Sequence, residues 1–373
     1  MSAEKTIEEI NAETKMLLDP YGDWVKGEGV PVTEVLGADL RKVETAPWAR
    51  FDTNGAIVHL EGRGDYITMF VLDIPPGGKT SPQQHIIEEV IYVISGHGST
   101  TIETSDGKKH SFEWGPKSLF ALPLNARYQH FNGSGKEPAR LCSANNTPVM
   151  VNLFRNEDFI FNNPYGFPER EGSDGFFNGE GELVPVRPGR HMWETNFIPD
   201  LSAFELKTWE KRGAGSSNMK FVLAEGTIHA HSSEMPVGTY KKGHRHGADF
   251  HVFTVTGQGY SLLWYEGDDD FKRIDWEHGV VFAPPDNMFH QHYNTGPDPS
   301  RYLAIAFGSL RYPFTEGKRK HFTFGVDKSV EEGGSQIEYE NQDPRIHKIF
   351  LDELKKNNVD SGMGEYIDEA PYK

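Results

Sequence analysis

Residues 238–259 read Gly238-Thr-Tyr-Lys-Lys-Gly-His244-Arg-His246-Gly-Ala-Asp-Phe250-His-Val-Phe-Thr-Val-Thr-Gly257-Gln-Gly259, and residues 77–98 repeat the frame without a gap. Gly77 matches Gly238, Gln83 matches His244, His85 matches His246 and Glu89 matches Phe250; Gly96 and Gly98 match Gly257 and Gly259. The apolar runs superpose as well, Val90 to Ile94 on His251 to Val255. After a slip of one residue a second block follows: Pro123, Asn125, Tyr128, His130 and Asn132 match Pro285, Asn287, His290, His292 and Asn294. A repeat of about half the chain predicts two similar domains.

Each half reads as β structure. The run Tyr66 to Ile74 is rich in β-branched and aromatic residues and stops at Pro75-Pro76-Gly77-Gly78. Ser118 to Leu122 and Val280 to Ala283 read as buried strands, each ended by proline. Gly (39) and Pro (23) are frequent enough to favour short strands and turns over long helices. The expected class is all-β, with closed or sandwiched antiparallel sheets. Helical spacing is confined to Thr6 to Leu18 and to the stretch after Asp343-Pro344, where Ile346, Ile349, Phe350 and Leu354 share a face. The second of these helices is expected to pack on a barrel or on a partner subunit.

The chain has 373 residues and a formal charge of -17, with no basic cluster or stripe. Nucleic acid and anionic membranes are therefore not expected partners. One cysteine, Cys142, rules out an intramolecular disulfide and a zinc-thiolate cluster. The acidic N-terminus lacks an apolar h-region, and no apolar run reaches membrane-spanning length. A cytoplasmic location is expected. Sheet edges that a second copy can cover suggest a homo-oligomer.

Three histidines carry the chemistry. His244 and His246 are two residues apart and leave the same face of a strand. His290 lies more than forty residues on, so a returning strand must complete the set. Three neutral imidazoles suit zinc, copper, iron or nickel, and the positions they leave open indicate catalysis. His292 shares the face of His290 and is the candidate catalytic residue, a base or hydrogen-bond donor; the alternative is a histidine satisfied by backbone at the barrel rim. His251 is an alternative fourth ligand, but the match of Phe250 to Glu89 points Phe250 inward and His251 to the other face. Arg245 and Gln291 alternate away from the metal. His229 and His231 form a second His-x-His pair without an assigned role. In the first half only His85 and Glu89 survive as good ligands, so no tight site is expected there; a weak one would use Gln83, His85, Glu89 and His130.

The quoted blocks resemble the two motifs of the cupin family, in both halves of the chain. That resemblance implies a bicupin, two tandem jelly-roll β-barrels with a few peripheral helices. Its divisions fall at 1–50 (arm and helix), 51–154 (first barrel, degenerate site), 155–200 (connection), 201–325 (metal-bearing barrel) and 326–373 (extension with helix). His244-Arg245-His246, Phe250 in place of a glutamate, and His290-Gln291-His292-Tyr293-Asn294 look like the gentisate 1,2-dioxygenase group. This narrower likeness implies Fe(II) on His244, His246 and His290, with Mn, Zn, Ni or Cu as alternatives. It further implies dioxygen, a hydroxylated aromatic acid or enol as substrate, and His292 handling the proton. The intact set here is C-terminal, whereas that group usually carries it N-terminally. A metal-dependent decarboxylase, lyase or isomerase on the same scaffold is the alternative expectation, and a non-catalytic binding or storage protein a further one.

Overall fold

The computed structural model describes residues 5–15, 17–187, 190–247, 249–309, 311–312 and 328–372. The described strands build the two tandem jelly rolls expected. In the first, Thr68–Ile74 bonds to the last strand, Ala139–Asn145, which pairs with Glu89–Ser95, which pairs with Leu119–Ala121. The opposing sheet orders Arg127–Asn132, Gly98–Glu103 and Lys109–Trp114, and bridges from Lys79 and Gln83 extend it. Side chains of both sheets, Ile74, Ile91 and Leu141 with Ile102, Phe112 and Trp114, share one core. The second barrel repeats this order with Ile228–Met235, Ser300–Phe307, His251–Thr256 and Val280–Phe282. Facing it are Lys272–Trp276, Gly259–Trp264, Phe289–Asn294 and Gly243–His244, with Gln336–Ile337 at the edge.

Most residues that make the sequence repeat are there for the turns. A Cβ on Gly98 would sit 2.1 Å from the Phe131 carbonyl oxygen, and one on Gly259 would sit 1.9 Å from that of Tyr293. Only glycine permits these close backbone approaches. Asn132 donates its amide to the carbonyls of Ile74, Pro75 and Glu137; Asn294 does so to Met235, Pro236 and Asp298. The motif asparagines are thus structural ties between two turns.

The barrels exchange edges. Gly37–Asp39, from the N-terminal arm, pairs with Val280–Phe282 of the second barrel. Phe197–Ile198, from the connection, pairs with Leu119 and Phe120 of the first. An arginine fastens each exchanged segment, Arg301 buried and Arg140 half-buried. Arg140 binds Asp73 at 2.7 and 2.6 Å and the Leu40 carbonyl at 2.8 Å. Arg301 binds Glu234 at 3.0 and 2.8 Å and the Leu201 carbonyl at 2.6 Å. Between the barrels one apolar core is continuous, with Tyr92 against Phe253 at 5.8 Å. The connection also supplies Glu182–Arg187 and Arg190–Thr195 to the large sheet of the second barrel. Short segments of the arm and of the connection are therefore built into the barrel sheets, a role their Gly, Asn and Pro content did not announce.

Ile7–Thr14 is a capped helix that buries no side chain. Pro20–Glu28, which the sequence reading did not anticipate, has an Asp19 N-cap, proline in its first turn and a left-handed Gly29 after it. It buries Tyr21, Trp24 and Val25, and the Trp24 ring stacks on Phe70. Pro344–Asn357 packs Ile346, Phe350 and Leu354 on Tyr240 and Tyr293 of the second barrel. The expected division at 325/326 falls outside the described residues. Cys142 is buried.

Replacing a buried arginine strands its carboxylate, so Arg301→Met is expected to cost about 2–4 kcal/mol of stability. The exposed Arg345–Asp343 pair is the control, and Arg345→Met is expected to change stability by under about 0.5 kcal/mol. Urea unfolding of both variants checks this; equal losses would show that the clasp contributes nothing.

Candidate metal centre

Cross-strand pairing places His244 directly opposite His290. His246 follows two residues later, beyond the end of the Gly243–His244 strand. The ring centroids are 4.2 Å apart for His244 and His290, 4.6 Å for His246 and His290, and 5.7 Å for His244 and His246. One ring nitrogen of each lies within 4.8 Å of the others. The remaining nitrogens are engaged. Nδ1 of His244 faces the Lys242 carbonyl at 3.2 Å, that of His246 the Gly247 carbonyl at 2.7 Å, and that of His290 the Met288 carbonyl at 3.2 Å. A carbonyl only accepts, so each Nδ1 carries the hydrogen and each Nε2 keeps a lone pair. This is the outer-shell arrangement that orients imidazole ligands. Burial, with help from neighbouring charges, holds His244 and His290 well below the ordinary histidine range, in the neutral form a metal requires. The donor set fits one divalent metal ion.

Among the described residues no fourth ligand joins the three. Phe250 stands where a carboxylate would be and packs on His246 at 4.2 Å. His251 points elsewhere: it is fully buried, and its Nδ1 donates to the Asp249 carbonyl at 2.9 Å. Arg245 turns to Glu266 and the Phe289 ring, and Gln291 donates to the Lys241 carbonyl. His292 lines the same cavity as the three ligands, with Nδ1 2.8 Å from the Ser261 hydroxyl, which accepts from Trp276 Nε1. The first barrel contains the same unit, His130 on Thr100 and Trp114.

The first barrel does not assemble the weak site considered above. Gln83 turns its amide to the Arg50 carbonyl and the Ser81 hydroxyl. The Tyr128 hydroxyl lies 3.0 Å from His85 Nε2 and 3.2 Å from Glu89, so a buried hydrogen-bonded group fills the place of a metal. The space left there is about 10 Å³.

Over the three histidines the second barrel opens a cavity of about 510 Å³. Arg190, Arg212, Lys220 and Lys241 line it, and the described lining residues include no carboxylate. In a chain of net charge -17, that is a local inversion of sign. Phe250, Val252, Ala304 and Phe307 supply an apolar wall. His229 and His231, whose ring nitrogens are 2.9 Å apart, line it too. Lys241, Tyr302 and the arginines were missed in the sequence. One signal was available: His229, His231 and Ser233 form a polar period-two row where the first barrel has Thr68, Phe70 and Leu72.

No known family profile and no curated protein matches the chain. Among solved structures, one of Bacillus subtilis oxalate decarboxylase, studied for its Mn(II) centres, is 16% identical at a TM-score of 0.47, over 73% of this chain and 77% of that one. A mutant of the same enzyme is 15% identical at a TM-score of 0.48, with the same coverage. Its structure at pH 4.6 is 14% identical at 0.47, over 73% and 76%. Among the described residues no helix is long and apolar enough to cross a membrane.

Purified wild-type protein is expected to carry about one divalent metal per chain, and His290→Ala about a tenth of that or less. His85→Ala should leave the metal content unchanged, and elemental analysis decides both. A second expectation concerns acid. Burial lowers His130 and His251 to about 4 in the folded chain, against about 6.5 when unfolded. Between those values the unfolded chain binds more protons, so their contribution is complete above about pH 6.5 and is lost as pH falls toward about 4. Thermal melts should show Tm falling across that window; a flat profile would refute the neutral assignment.

Proposed function

We propose that this protein is a mononuclear-metal enzyme that converts a small, carboxylate-bearing substrate, and that the reaction is an oxidative carbon-carbon cleavage of the dioxygenase type on a hydroxylated aromatic acid or related enol. One observation carries the reading: three imidazoles, with no carboxylate beside them among the described residues, open into a cavity lined by cations. A divalent metal held by His244, His246 and His290 would supply Lewis acidity, and iron would add electron exchange with dioxygen, with coordination positions left for both reactants.

The protein's own groups supply the rest. Lys241, in the wall of the cavity, offers the carboxylate of a substrate a charge-assisted hydrogen bond. Phe250 and Val252 give the body of a ring an apolar face to lie against. Fixing the substrate at both ends lowers the entropy lost on reaching the reactive pose. With Nδ1 tied to Ser261, His292 has Nε2 available to hold a proton in the cavity.

A metal-dependent decarboxylase is the second reading. It is favoured by the Lys241 ammonium and Tyr302 phenol in the same cavity, groups that can return a proton to carbon after carbon dioxide leaves. The two readings separate on oxygen. With gentisate as first probe, iron-loaded protein is expected to consume about one dioxygen per product and to stop turning over under argon. Carbon dioxide release that continues under argon would overturn the dioxygenase reading and leave the decarboxylase.

A further inference from the structure

The two barrels form an internal comparison, because strand register makes their inner walls superimposable position by position. Leu141 lies opposite Leu72 in the first barrel, and Tyr302 lies opposite Ser233 in the second. Ser143 lies opposite Phe70, and Ala304 opposite His231. The small space of the first barrel is lined by Phe51, Phe70, Leu72 and Leu141 beside His130. The second barrel carries Arg212, His231, Ser233 and Tyr302 beside His292 in the matching places. The histidine held by a hydroxyl and a tryptophan is common to both barrels, so it accompanies the fold whether or not metal ligands are present. The polar wall is found only where the ligands are.

Within that wall Lys241 and Tyr302 form a pair. Lys241 is 3% exposed, and its Nζ lies 5.1 Å from the Tyr302 ring centroid. Ser233 lies directly opposite Tyr302 on the neighbouring strand. The His292 and His231 rings stand 5.1 and 6.2 Å from the Tyr302 ring, and Arg212 adds a further positive charge. No acidic side chain faces the pair among the described lining residues.

We infer that Tyr302, with Lys241 over its ring and Ser233 across the strand pair, is the group that takes and returns the substrate's hydroxyl proton in the metal-bearing barrel. This rests on the enzymatic reading above and names the proton carrier within it. In the step, the substrate O–H bond breaks and a Tyr302 Oη–H bond forms; the substrate oxygen keeps the electron pair, and no oxidant or reductant is involved. The Lys241 ammonium stabilises the phenolate before the transfer, and the reverse transfer restores it when product forms. Burial alone would push the Tyr302 phenol up, but Lys241, Ser233 and Arg212 outweigh it and bring the phenol below its ordinary value. For Lys241, burial acts in the complementary direction and lowers the ammonium.

The test uses full-length protein loaded with zinc, which adds no absorbance of its own, and follows tyrosinate formation by ultraviolet difference titration. Wild type is expected to show one phenol ionising ahead of the others. Tyr302→Phe should remove that step, Lys241→Met should move it upward by about one pH unit or more, and His292→Asn should keep it. Metal content should match wild type in all three. No early phenol in wild type, or an early phenol that survives Tyr302→Phe, overturns the inference; if Tyr302→Phe fails to fold, an unmoved step in Lys241→Met overturns it. Oxygen uptake with gentisate is the second arm, where Tyr302→Phe should lower kcat about 100-fold and leave KM within about 3-fold. Wild-type protein that shows the early phenol but takes up no oxygen would count against the dioxygenase reading, while the proton assignment stands.

Discussion

The candidate centre depends on one cross-strand pair. His244 can face His290 only because the short Gly243–His244 strand lies antiparallel to Phe289–Asn294, and a shift of one residue would turn His290 to the opposite face. Three features hold that register. Gly259 permits a backbone approach that a Cβ would block, Asn294 ties two turns together, and the Lys241 amide donates to the His292 carbonyl at 3.0 Å. The backbone carbonyls facing the three Nδ1 atoms then set the tautomer of each ligand. The preference for a metal is therefore written into main-chain geometry as much as into the histidines.

Duplication separates fold from function within one molecule. Both barrels retain the turn glycines, the tying asparagine and the histidine bound to a hydroxyl and a tryptophan. They differ in what fills the interior. In the first barrel, Tyr128, His85 and Glu89 satisfy one another, and Phe70, Leu72 and Leu141 close the space. In the second, the same positions leave room for a ligand and line it with cations. Of the lining cations Lys241 is buried, and a buried ammonium is best satisfied by an anionic or hydrogen-bonding group. Reciprocal edge strands and a continuous apolar core make the first barrel a structural support for the second.

The legible parts of the sequence were those with a short period. Strand alternation, proline stops and the 238–259 repeat disclosed two β-barrels, and the His-x-His spacing with His290 disclosed the three histidines that converge as candidate metal ligands. The helix Pro20–Glu28 escaped because its apolar residues, Tyr21, Trp24 and Val25, are few and interrupted by Gly22 and Gly27. The edge exchange escaped because Gly37–Asp39 and Phe197–Ile198 are too short to carry a pattern. Their pairing is decided by the barrel edges they reach.

By itself, then, the sequence determined the class of fold, its duplication and three histidines that the fold gathers as candidate metal ligands, since each depends on spacing along one or two strands. Only the tertiary structure decided the character of the cavity. Arg190, Arg212, Lys220, Lys241 and Tyr302 are scattered over more than a hundred residues, and Lys241 meets Tyr302 only once the sheet of the second barrel has closed. Charge and proton affinity are properties of that enclosed space. They follow from which side chains share it and how deeply each is buried, and no linear pattern records either.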